Sequence, residues 1–278
     1  TVSGLTVGTK YTVRVITNRG EETTVSSEAE VTATKEAQQK WGQITYGNGA
    51  NASKDSFTGS ANDGKVTIKS ASGKLVPASF DGVSFYYTAV PASQNFTLRA
   101  KVTVDSWTLS NGQEGFGLMA TDKLGGSGWN NSYMAVASKA EYYWNEETKE
   151  VTTDSSATKI SQKIGLASQE KTGVTKDNIA AIEANDTATV QANFKSTSYP
   201  LEQRYPEAKN IIGNSTNTPA DAGNITEMYL TIQKNNTGYF VTYESADGSY
   251  STTKKYYDTE ALERIDSDYV YAGFFASR

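Results

Sequence analysis

The stretch NFTLRAKVTVDSW, residues 95–107, decides the fold class. Phe96, Leu98, Ala100, Val102 and Val104 alternate with Thr97, Arg99, Lys101 and Thr103, a period of two that puts one set of side chains on a core and the other in water. The same alternation marks 66–68, 85–89, 116–120, 228–232, 239–243 and 270–274. In YLTIQKNNTGYFVTYESADGSY, residues 229–250, turn signals at 235–238 and 247–248 predict a meander of antiparallel strands. The expected fold is all-β: an antiparallel β-sandwich of the jelly-roll type with a long loop and helix insert.

Composition removes several classes of function. The 278 residues carry 31 acidic and 26 basic side chains, a formal charge of −5, and no lysine–arginine block, so no nucleic-acid partner is expected. There is no cysteine, which excludes disulfides and thiolate metal sites, and no histidine, which excludes imidazole ligands and the Ser-His-Asp triad. No apolar run is long enough to span a bilayer. The chain opens inside a strand-like pattern with no signal peptide, so the numbering is expected to begin within a longer polypeptide. Abundant Thr, Ser, Asn, Gly and Tyr suggest a secreted bacterial β-module, hence an extracellular or cell-surface location.

Two domains are expected. In residues 1–37, Tyr11, Val13 and Val15 point to one side, Asn18–Gly20 turns the chain, and KEAQQK at 35–40 reads as a linker. Residues 38–278 form the sandwich, with its insert at about 138–224. That insert reads as polar and irregular apart from a short helix in TKDNIAAIEAND, capped by Thr175. A second short helix is expected over 258–266.

Leu5, Gly8, Thr9 and Tyr11 resemble the end of a fibronectin type III domain, where a tyrosine closes a corner onto nearby backbone. DGVSFYYTAVPASQNFTLRAKVTVDSW, NGQEGFGLMATD, YLTIQKNNTGYFVTYES and KKYYDTEALERIDSDYVYAGFFASR resemble a non-catalytic β-sandwich module. Such modules stand beside fibronectin type III units in large secreted bacterial polysaccharide-degrading enzymes, notably family 9 pectate lyases. The likeness covers most of 41–138 and 225–278. It implies carbohydrate binding and neighbouring modules in the same polypeptide; such modules continue with one more strand after the equivalent of GFFASR, which is either absent from this chain or cut off at Arg278.

Sugar rings stack on aromatic faces while their hydroxyls bond to planar polar side chains. GGSGWNNSY supplies Trp129, Asn130, Asn131 and Tyr133, and AEYYWNEE supplies Tyr142 and Trp144, read as two aromatic loops. In STSYPLEQRYPEAKN, Tyr199, Arg204 and Tyr205 suit an acidic sugar, because a guanidinium pairs bidentately with a carboxylate. The competing reading is that these tryptophans cap the sandwich ends and these loop aromatics pack back on the sheet. Trp41 and Trp107 read as packing residues. The doublets Tyr86–Tyr87 and Tyr256–Tyr257 should each bury one ring. No cofactor is required; sandwiches of this kind often hold a structural calcium on oxygen ligands, but no D-x-D-x-D-G loop is present and no position for one is assigned. Glu141, Glu146, Glu147 and Glu150 read as a solvated cluster in a turn, so no catalytic residue is assigned. The expectation is a non-catalytic polysaccharide-binding part of a larger extracellular enzyme, with an acidic plant polysaccharide such as pectin among the ligands considered. The alternatives are a histidine-free lyase using Tyr142 or Tyr205 beside Arg204, and a structural or adhesive spacer.

Overall fold

A computed structural model describes residues 6, 8–20, 22–32, 39–76, 81–106, 113–125, 132–145, 147–148, 150–152, 160–172, 180–181, 184, 186, 188–189, 192, 195–202, 204, 225–257 and 268–278. They form two compact units, Thr1–Gln39 and Lys40–Arg278.

The first unit contains β1 (Lys10–Val13), β2 (Ile16–Arg19), β3 (Glu22–Val25) and β4 (Ala29–Thr32). β2 and β3 form the expected hairpin, whereas β1 pairs with β4. The expected single strand is thus interrupted after Val13, and the two halves join separate ladders. The Tyr11 hydroxyl accepts a hydrogen bond from the Thr6 N–H at 2.8 Å, a backbone contact five residues upstream. Val15 and Ile16 are 67% and 57% exposed, so among its described residues this unit has no buried core.

The second unit is an antiparallel β-sandwich. Its large sheet contains β5 (Gly42–Gly47), β8 (Gly82–Pro91), β10 (Gly115–Thr121), β11 (Ser132–Asn145), β12 (Glu150–Thr152), β13 (Ile160–Thr172), β14 (Lys195–Pro200) and β18 (Tyr269–Ser277). The order is β14-β13-β11-β10-β18-β8-β5, with β12 paired to β11. The small sheet is β17-β16-β15-β9, built from β9 (Phe96–Thr103), β15 (Glu227–Asn235), β16 (Gly238–Ser245) and β17 (Ser251–Tyr256). β6 (Ser56–Ser60) and β7 (Lys65–Lys69) form a separate hairpin.

Alternation places the core. Along β10, Leu118 and Ala120 join a cluster with Met228, Leu230, Ile232, Tyr239, Val241 and Tyr243 of the small sheet, while Met119 joins a second cluster with Tyr46, Val83, Phe85 and Phe275. The large sheet is therefore buried on both faces. Truncating one of the fully buried aliphatic side chains to alanine should cost about 2–5 kcal/mol. Trp41 stacks on Tyr86 and Phe274 with ring centroids 5.3 and 5.6 Å away, the packing role read from its position. At the β15–β16 turn Gly238 has φ 144°, and a Cβ there would lie 2.0 Å from the Tyr256 carbonyl oxygen. Only glycine lets β17 approach so closely.

The insert departs from its irregular reading. β11 runs on to Asn145, and β13 and β14 extend the large sheet. On β13 buried Leu166 and Ser168 keep the two-residue period, but buried Gln169 and Lys171 interrupt the apolar pattern on the opposite face. Ala180 and Ala181 are helical, and the Ala184 N–H donates to the Ala180 carbonyl at 2.9 Å. Thr175 and the 258–266 segment lie outside the described residues. Among the described residues no helix is long and apolar enough to cross a membrane.

Candidate functional site

The edge strands of the two sheets, β14 and β17, meet along a seam of aromatic and charged side chains. β17 alternates: Lys254 and Tyr256 turn inward, whereas Ser251, Thr253 and Lys255 are exposed. The Lys254 ammonium lies 5.1 Å from the Tyr199 ring centroid and 5.4 Å from that of Tyr256. Tyr256 is buried, and its hydroxyl shares a 2.5 Å hydrogen bond with Ser168 Oγ on β13. Tyr199 on β14 is 36% exposed, so its ring is open to a ligand while also resting against a cation. Among the described residues Lys254 has no carboxylate partner. An ammonium on π faces keeps its capacity for an anionic acceptor.

Further along the seam the chain leaves β14 and buries Leu201 and Glu202. Arg204 turns back on Glu202: Nε is 3.0 and 3.2 Å from its two carboxylate oxygens, and Nη2 is 2.8 Å from Oε2. The guanidinium carbon stands 4.7 Å from the Tyr250 centroid. Tyr250 donates to the Leu201 carbonyl at 3.3 Å and accepts from Thr252 at 2.7 Å, which fixes the ring. The Tyr243 phenol nearby is pushed well above its ordinary range, first by burial and then by the Glu202 charge. Asp247 is held far below the usual carboxylate range by hydrogen bonds from the Ser245 hydroxyl and from the Ser249 N–H and hydroxyl. Tyr250 and Lys254 lie four positions apart on extended chain, about 13 Å.

The expected site residues fall into three groups. Tyr199 and Arg204 are brought together on this seam, but Arg204 is engaged by Glu202, so the seam's available cation is Lys254, which the sequence reading missed. Tyr133 lies in β11 in register with Ala120 and Glu170. Tyr142 and Trp144 also lie in β11, Trp144 in register with Val151 and Ser161, which corrects their reading as a loop. The correction has a simple cause: backbone pairing to β13 on one side and β12 on the other holds this polar segment extended. Trp129, Asn130, Asn131, Tyr205 and Trp107 lie outside the described residues. Of the glutamate cluster, Glu141 and Glu150 lie in strands, and only Glu147 is described within the turn. Among the described residues no group of three or more acidic side chains is placed to hold a metal ion.

The family described as the pectate disaccharide-lyase N-terminal domain matches residues 32–278. A pectate lyase L of Thermoclostridium stercorarium is 28% identical over 264 residues, covering 91% of this chain and 21% of that protein. A pectate disaccharide-lyase of Dickeya chrysanthemi is 26% identical over 218 residues, covering 77% of this chain and 25% of that protein. The chain thus spans about a quarter or less of the length of these relatives. With a match over the whole of the sandwich and its insert, this chain belongs to the family of pectate disaccharide-lyase N-terminal domains.

Proposed function

We propose that this domain binds an acidic plant polysaccharide of the pectin class without cleaving it, and so holds a catalytic neighbour near its substrate. The observation that carries the reading is Lys254, an ammonium held between two tyrosine rings on the adjoining edges of two sheets. A uronate offers both a carboxylate for that cation and a C–H face for the open side of Tyr199. The seam is long enough for more than one sugar residue. Arg204 serves by building the wall, since its charge is balanced by Glu202. The sequence features Trp129, Asn130, Asn131, Tyr133, Tyr142 and Trp144 belong to the same proposal as a second stacking region. Tethering a weak site to a catalytic module raises effective concentration, so modest affinity suffices.

Affinity electrophoresis of the full chain in gels containing polygalacturonate, run alongside an assay for unsaturated uronide product, tests this. Retardation without product is the expected result. Product formation would make the domain a lyase, and absence of both retardation and product would leave it a spacer.

A further inference from the structure

The outer face of the large sheet carries a charge pair that polysaccharide binding leaves unused. Lys171 on β13 and Asp81, the residue before β8, have side chains 1% and 3% exposed. Lys171 Nζ donates to Asp81 Oδ1 at 2.5 Å and to the Val76 carbonyl at 2.8 Å. The Val76 N–H donates to the same Oδ1 at 2.9 Å, whereas Asp81 Oδ2 is buried with no hydrogen-bond partner. Tyr46 and Asp122 are buried as well, and the charges of Asp81 and Asp122 both act on the Tyr46 phenol. Asp122 follows Thr121, which is in register with Ser132 and, one strand further, with Lys171.

Two full charges in so dry a place are costly to desolvate, and here one carboxylate oxygen gains nothing in return. A proton passing along the Nζ–Oδ1 hydrogen bond gives a neutral amine and a neutral acid, with the nitrogen lone pair one bond away from the Asp81 carboxyl carbon. We infer that Lys171 and Asp81 condense into an intramolecular isopeptide bond. The lone pair of Nζ attacks Cγ and forms the C–N bond. Oδ1 takes the developing negative charge, stabilised by the Val76 N–H already aimed at it, and the Val76 carbonyl holds Nζ in line. Asp122 relays two protons to Oδ2, the one first passed to Oδ1 and one of the two left on the amine nitrogen; the C–Oδ2 bond breaks and Oδ2 leaves as water, while Oδ1 stays as the amide oxygen and the nitrogen keeps the last hydrogen. An ammonium and a carboxylate become one amide and one water, so no oxidant, cofactor or co-substrate is needed. The bond joins residues ninety positions apart in a chain that has no cysteine. Such a cross-link restricts the unfolded chain as a disulfide does, without depending on redox conditions.

Intact mass spectrometry of the denatured full chain tests the inference, followed by peptide mapping. The expected mass is one water below that of the sequence, with a branched peptide joining the segments around Asp81 and Lys171. Lys171→Arg, which keeps the charge, should restore the full mass, and Asp122→Asn should slow or abolish the water loss. Full mass in the folded wild-type protein would overturn the proposal. So would water loss that persists in Lys171→Arg, since an imide at Asp81–Gly82 would then account for it. Should Lys171→Arg fail to fold, the presence or absence of the branched peptide in the wild-type digest decides alone. Unchanged water loss in Asp122→Asn would overturn the relay.

Discussion

Arg204 grips Glu202 with two of its nitrogens while lying over the ring of Tyr250, so a side chain that reads as a sugar ligand is an internal brace. The Glu202 side chain is wholly buried, whereas that of Arg204 is 28% exposed. This asymmetry sets the first expectation. Arg204→Ala strands a buried carboxylate and should destabilise the domain by about 3 kcal/mol, while Glu202→Gln leaves a guanidinium that water can reach and should cost less. Urea denaturation of both variants checks the order; equal losses would remove the argument.

Gln169 is 1% exposed on β13, and both its amide nitrogen and its amide oxygen are buried without partners. Replacing this group by an apolar one of similar size removes an uncompensated desolvation cost. Gln169→Leu should therefore raise stability by about 1 kcal/mol. A thermal melt showing a loss would mean that the amide has a partner in solution.

Burial pushes the Tyr46 phenol far above its ordinary range. A raised folded value means that the folded state keeps a proton which the unfolded chain releases near pH 10. Its contribution to stability is full below that pH and is lost as pH rises, at up to about 1.4 kcal/mol per pH unit for such a group. Tyr243 titrates in the same direction. Denaturation midpoints measured from pH 8 to 11 should fall, and Tyr46→Phe should flatten the fall with little effect at neutral pH, because its hydroxyl has no hydrogen-bond partner.

Strands with one wet face could be read directly. β9, β15 and β16 alternate cleanly because each packs one side on a core and shows the other more open to solvent. The doublet Tyr256–Tyr257 also behaved as its period requires, with Tyr256 buried and Tyr257 68% exposed. β13 was illegible for a physical reason: its back face buries Gln169 and Lys171, polar residues where a pattern search expects apolar ones. Lys254 was hidden differently. Within KKYY a lysine reads as solvated, and only the approach of β14 to β17 brings it against two rings. Arg204, conversely, looked available because the carboxylate that occupies it, two residues away, reads as an ordinary surface glutamate.

The central claim is that Lys254 and Tyr199 together receive a uronate. Titration of the full chain with oligogalacturonates, followed by calorimetry at low and moderate salt, measures it most directly. Lys254→Ala should weaken binding by about tenfold, equivalent to about 1.4 kcal/mol, and should reduce the dependence on salt. Tyr199→Ala should weaken it comparably while leaving the salt dependence in place. Wild-type affinity and salt dependence retained in a folded Lys254→Ala, Tyr199→Ala double variant would contradict the account.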